Sequence, residues 1–229
     1  MWSHRGHGVP LDVSSTAFLV LWTELNTMKA EDILRLARSG EVLKSLDRTG
    51  WSLAGLARNV SESVAEHAFG TTLMALLVAQ SMKSEGMEID IGRLLTMTIL
   101  HDLPEARVSD IPKTALWMGG ENMERGKERA EKEAILQLLE NAKESSSYFN
   151  SIWEEHQSGK TIEGRISRGS DVLDMLLHAL ALEESGVSPA LLDDFFINAA
   201  SEIDGLGVRV ISELAELMER AHRERLGEG

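Results

Sequence analysis

Residues 99–110 read ILHDLPEARVSD, and five of these twelve side chains can carry charge. They close a segment with helical apolar spacing. Ile91–Leu103 reads as one helix, with His101 and Asp102 at its apolar end and Pro104 beside the break. Glu105 follows His101 by four residues and Asp102 by three. One more helical turn would set all three on adjoining parts of one surface. Pro104 allows that turn, at the cost of the bond to residue 100. The group either caps the helix or holds a ligand.

Outward from this stretch the chain is helical. Lys29–Leu46 is amphipathic, with Ile33, Leu36, Ala37, Val42 and Leu43 on one face. Ser63 and Glu66 have capping-box spacing at the head of an apolar run that reaches Met82. Glu121–Lys143 is a charged, exposed helix. Ser145–Ser147 and Gln157–Gly159 read as loops. Arg168–Glu184, Pro189–Ala200 and Val208–Leu226 complete the pattern. The expectation is one all-α domain, a single bundle of about eight or nine helices around one core. Residues 1–27 form an N-terminal extension, from a disordered terminus or a misassigned start, and residues 28–229 form the domain.

Composition narrows the chemistry. The 229 residues include no cysteine, so disulfides and thiolate metal sites are excluded and any metal must sit on His, Asp and Glu. A cysteine-free chain fits a reducing, cytoplasmic setting. The formal charge of −14, from 37 acidic and 23 basic residues, argues against a nucleic-acid partner. No apolar run approaches the roughly 18 residues of a membrane span, so no membrane partner is expected; Ala17–Trp22 is apolar but short.

Three histidines lie on apolar helices: His67, His101 and His178. Any one alone is more often a satisfied core residue than a ligand. Asp171, at the head of the Val172–Leu182 segment, has an ordinary reading as an N-cap, and Asp174 and His178 follow it on the same stripe. Together, two imidazoles and two carboxylates suit one divalent transition metal such as Mn, Co, Ni, Fe or Zn. Burying those acids without a counter-charge is costly.

The order Arg48, Glu66-His67, His101-Asp102-x-x-Glu105, Asp110 and Asp171 resembles the HD-domain superfamily of metal-dependent phosphohydrolases. More narrowly, RTGW at 48–51, NVSESVAEHAF at 59–69 and ILHDLPEARVSDIP at 99–112 resemble the HD-domain 5′-deoxynucleotidases. The resemblance spans roughly Leu43 to Glu184.

It implies metal ligation by His67, His101, Asp102 and Asp171, a catalytic carboxylate at Glu105, and Asp110 at the sugar or attacking water. It implies Arg48 at the phosphate, with Thr49, Trp51 and Lys113 also in the substrate site. The implied substrate is a nucleoside 5′-monophosphate, (deoxy)ribo, cleaved to nucleoside and phosphate by metal-activated water. Some relatives carry an aromatic directly after the basic residue, where this chain has Thr49, so deoxy selectivity rests on the resemblance alone. A phosphodiesterase or pyrophosphohydrolase, and a non-catalytic HD ligand-sensing module, are the alternatives. Alarmone hydrolases of the superfamily carry two acids after the pair, whereas Ala106 follows Glu105 here. The stripe Val208, Ile211, Leu214, Ala215 and Met218 packs either in the core or against a second subunit, and relatives imply a homodimer.

Overall fold

A computed structural model describes residues 27–57, 59–140 and 142–227. The expectations for the N-terminal extension, Ala17–Trp22 included, lie outside them, apart from residue 27. The described residues form helices α1 (Ala30–Leu43), α2 (Thr49–Leu53), α3 (Val64–Ser84), α4 (Ile91–Leu100), α5 (Glu105–Val108), α6 (Lys113–Leu139), α7 (Glu144–Ser158), α8 (Ile162–Glu184), a 3-10 turn (Pro189–Leu191), α9 (Asp193–Asp204) and α10 (Arg209–Leu226). No strand is present among them, and the fold is all-α. None of these helices is long and apolar enough to cross a membrane.

The central helix is α8. It packs on α3, α4, α7, α9 and α10. Its burial is nearly all-round, with Ile166, Val172, Leu173, Leu176 and Ala179 inside, as expected for a helix sandwiched in a bundle. One apolar cluster surrounds its length, from Leu94 and Leu173 to Phe196 and Ile211. A second cluster joins Leu43, Val64, Leu100, Ile135, Leu139 and Trp153. His67 and His101 belong to elements that contribute to both clusters.

The head of α3 is built as expected. Ser63 Oγ accepts from Glu66 N at 3.2 Å, and Ser63 N donates to Glu66 Oε2 at 2.7 Å. A short antiparallel clasp ties this start to an earlier segment: Val64 N donates to Leu46 O at 2.8 Å and Arg48 N to Glu62 O at 3.1 Å. The clasp brings Arg48, at the head of α2, beside the base of α3.

Several sequence expectations are corrected. Helix α1 buries only Leu43 of its predicted face, and Ile33 and Val42 are about half exposed. Helix α6 starts at Lys113 rather than Glu121, with a break at Gly120 (φ +58°). Ser145–Ser147 belong to α7, because burial of Ile152, Trp153 and His156 carries that helix back through its exposed serines. Helix α8 starts at Ile162, capped by Thr161, whose Oγ1 accepts from Gly164 N at 3.0 Å. Asp171 is therefore interior to α8 and caps nothing. The α10 stripe packs in the chain's own core: Val208, Ile211 and Met218 are buried there, with Leu214 and Ala215 against them.

Candidate metal centre and substrate cavity

Helix α4 ends at Leu100, earlier than expected. Pro104 has no N–H for the Leu100 carbonyl, and Leu103 N takes it instead at 3.1 Å. The chain continues in i→i−3 turns, Glu105 N to Asp102 O and Ala106 N to Leu103 O, and Pro104 leads into the single turn of α5. Trp153 of α7 satisfies the His101 carbonyl with its Nε1 at 3.1 Å. The break thus turns Asp102 and Glu105 into a cavity while His101 stays buried.

Each imidazole is fixed through Nδ1. His101 Nδ1 lies 2.7 Å from the Thr98 carbonyl, which accepts only from an N–H. His67 Nδ1 lies 2.9 Å from Asp174 Oδ2. Both Nε2 atoms therefore face inward, towards Asp102. His67 Nε2 is 3.8 Å and His101 Nε2 3.1 Å from Asp102 Oδ2. Asp171 Oδ1 reaches His67 Nε2 at 2.9 Å. One ligand atom each from His67, His101 and Asp102 lie within 4.8 Å of one another.

This donor set fits a cation. His101 Nε2 is buried and makes no hydrogen bond; Asp102 is near it but misdirected. A buried, unpartnered ring nitrogen is costly unless something electrophilic meets it. A second cluster, Glu62, His67 and Asp174, has similar spacing. It is satisfied internally: Glu62 Oε1 accepts from Trp51 Nε1 at 3.1 Å, and Asp174 serves His67 Nδ1. The orphaned nitrogen favours the Asp102 side.

The electrostatics agree. Burial and Arg48 both lower the His67 pKa, yet hydrogen bonds to Asp171 and Asp174 outweigh them and bring it to about 10. Burial opposes ionisation of Asp102 and Asp171, but the imidazoles and Arg48 hold both below the usual carboxylate range. The carboxylates demand positive charge, and a proton on His67 supplies it where a divalent cation would otherwise do so.

Beside the cluster opens a cavity of about 330 Å³. Arg48, Asp102, Glu105, Asp110, Lys127 and Asp171 are among its lining residues. Arg48 Nη1 lies 3.3 Å from Asp102 Oδ2. Glu105 is 5% exposed and its Oε2 has no partner. Burial, then the Asp102 and Asp110 carboxylates, push Glu105 well above the usual carboxylate range and favour its protonated form. Asp110 is differently engaged: its Oδ2 accepts from Thr49 N at 2.5 Å and its carbonyl from Thr49 Oγ1 at 3.0 Å. The turn that allows this passes through Ser109 at φ +68°, a left-handed conformation rare outside glycine.

The remaining predicted residues take varied places. Trp51 is 1% exposed, under Phe195, with stacked rings 4.3 Å apart. Lys113 sits at the mouth, paired with Glu202 of α9 at 2.5 and 2.6 Å. His178 stays a core residue, edge-on to Trp51 at 5.1 Å. Lys127 was not among the predicted site residues. It lies on the helix read as a charged outer face, and only its place in the bundle brings it to Glu105. Glu62 and Asp174 were also unassigned; Asp174, three residues after Asp171 on the same stripe, was the available signal.

An all-α bundle that gathers His67 and the His101-Asp102 pair beside a cavity holding Arg48 defines the HD class of metal-dependent phosphohydrolases. The chain belongs to the HD domain family, matching it over residues 40–203. It is 30% identical over 190 residues to 5′-deoxynucleotidase HDDC2 of Bos taurus, covering 81% of this chain and 85% of that one. The Xenopus laevis protein of the same name is 29% identical over 183 residues, covering 80% and 82%. Among solved structures, a conserved hypothetical protein from Pyrococcus furiosus matches with a TM-score of 0.68 and 30% identity, over 83% of this chain and 99% of that one.

Proposed function

We propose that this chain is a metal-dependent 5′-nucleotidase that hydrolyses (deoxy)ribonucleoside 5′-monophosphates to nucleoside and phosphate. The observation that carries this reading is the buried, unpartnered His101 Nε2 facing Asp102, directly beside a cavity lined by Arg48, Glu105 and aromatic rings. The name of the HDDC2 relatives supports the substrate class.

His67, His101, Asp102 and Asp171 are the residues that would hold the cation, one of Mn, Co, Ni, Fe or Zn. When bound, such a cation acidifies a water and polarises a phosphoryl oxygen. Arg48 binds the phosphate; its charge is secure because the carboxylates around it outweigh the burial that opposes it. Lys127, paired with Glu131 at 2.7 Å, lines the same cavity. Glu105 is the proton carrier, being buried with a free oxygen. Asp110 is a positioning residue, since its carboxylate holds the Thr49 amide and with it the Arg48–Thr49 turn. Lys113 sits at the rim.

We further propose that residues 28–229 form the catalytic unit and that it works in the cytoplasm, where a chain without cysteine needs no disulfide. A homodimer is retained with a different contact from the α10 stripe: Phe69, Leu73 and Leu77 stand one turn apart on α3 and are exposed. Light scattering of the purified protein tests it, and a monomer at all concentrations refutes it.

The deciding experiment is a phosphate-release screen over all ribo- and deoxyribonucleoside monophosphates with each of the five metals. Release from monophosphates, and no pyrophosphate or tripolyphosphate from triphosphates, is the expected result. Silence on every monophosphate with every metal refutes the reading.

A further inference from the structure

The cavity has an apolar side that the hydrolytic chemistry does not use. It is lined by Trp51, Trp117, Met175, Leu191 and Phe195. Most of this wall is explained by packing, since Trp51 is buried and Phe195 stacks on it. Trp117 is not. It is 57% exposed, on a stretch of α6 where almost nothing is buried. A large aromatic left in water at a cavity wall gains nothing for the fold.

Its placement is specific. Helix α6 is broken at Gly120, where φ is +58°, and the chain before α6 turns through Ser109 at φ +68°. Residues 110–119 therefore form a short arm between two left-handed residues. The solvent-exposed ion pair of Lys113 with Glu202 links that arm to α9. Trp117 follows Lys113 by four residues, on the same side of its helix. Asn198 and Phe195 precede Glu202 by four and seven, on the same stripe of α9. The pair thus sets the Trp117 face against the Phe195 face, and all these residues line one cavity.

We infer that this side is the nucleobase site and that Trp117 is a specificity-determining residue, one that binds the flat face of the base opposite the Phe195 wall. The inference rests on the nucleotide reading above. A nucleotide has one anionic end and one planar aromatic end, and the one cavity is lined both by Arg48 beside the metal-competent cluster and by these aromatic rings. Stacking on an aromatic ring tolerates every base, because each has a π-face. Selection for nucleotides over smaller phosphate esters, with weak choice among bases, follows.

The test compares 2′-deoxyadenosine 5′-monophosphate with 2-deoxyribose 5-phosphate, which lacks the base, using the metal-loaded full chain. For Trp117→Ala the ratio of the two kcat/KM values should fall about 10-fold or more. The loss should lie in KM for the nucleotide rather than in kcat, and Trp117→Phe should restore most of it. A ratio unchanged in Trp117→Ala overturns the assignment, because a structural role would lower both substrates alike. Calorimetric binding of 2′-deoxyadenosine to wild type and Trp117→Ala needs no turnover and separates this inference from the nucleotidase reading. Binding weakened about 10-fold by the substitution supports the base site even if no monophosphate is hydrolysed. Equal binding to both proteins, or none to wild type, overturns it.

Discussion

Asp174 Oδ2 lies 2.9 Å from Nδ1 of His67, and Gly70 is the reason it fits. A Cβ on Gly70 would stand 2.0 Å from Asp174 Oδ1. The carboxylate orients the ring and leaves Nε2 for the cluster, the role an outer partner plays for a metal-binding imidazole. Asp174→Ala is expected to weaken metal affinity about 10- to 100-fold. Gly70→Ala should do the same by pushing the carboxylate aside. Metal content after dialysis against graded free-metal buffers checks both, and wild-type retention in Gly70→Ala would refute the crowding argument.

Glu105 and His101 should separate cleanly when metal content and turnover are measured together. Glu105→Gln keeps the shape of the side chain and removes its capacity to exchange a proton. Metal should stay while turnover falls about 10²- to 10⁴-fold. His101→Ala removes a donor, so metal and turnover should go together. Metal lost from Glu105→Gln would make Glu105 a ligand instead.

His156 gives an acid sensitivity with a definite sign. It is buried beside His101, its ring centroid 5.3 Å away, and its Nδ1 lies 2.9 Å from Ser167 Oγ. Burial, then the His101 charge, lower its pKa to about 3, against an ordinary 6.5. The folded state therefore keeps it neutral while the unfolded chain protonates. Its contribution is fully present above about pH 6.5 and is lost as pH falls towards about 3, on the order of a few kcal/mol in all. Urea unfolding of wild type and His156→Gln between pH 7 and pH 4.5 should show the shallower decline in the variant. Parallel declines would count against this account.

Ser109 holds a left-handed backbone that glycine adopts at little cost. Ser109→Gly should leave the Thr49–Asp110 contact intact and raise folding stability by about 1 kcal/mol. Thermal unfolding measures it. A lower melting temperature would show that the serine side chain does something the backbone argument omits.

Much of the candidate ligand set is legible in the chain because its residues keep local company. His101, Asp102 and Glu105 lie within one turn and a half, His67 follows a capping box, and Asp171 and Asp174 share a helical stripe. Asp171 was open to misreading as a cap, because the start of α8 depends on Thr161 and on burial against neighbouring helices, not on the apolar run alone. Lys127 and Trp117 were not legible. Their helix looks like a solvated face in sequence, and only its break at Gly120 and its packing in the bundle put both residues in the cavity lining.

By itself the sequence determined the helical period, the absence of thiol chemistry and the kinds of donor available to a cation. Those follow from side-chain chemistry and spacing within single helices. Tertiary packing alone decided which ring nitrogen is left without a partner, which carboxylate keeps a proton and which aromatic stands at the cavity wall. Each depends on desolvation and on neighbours distant in the chain, and neither is set until α3, α4, α6, α8 and α9 are packed together.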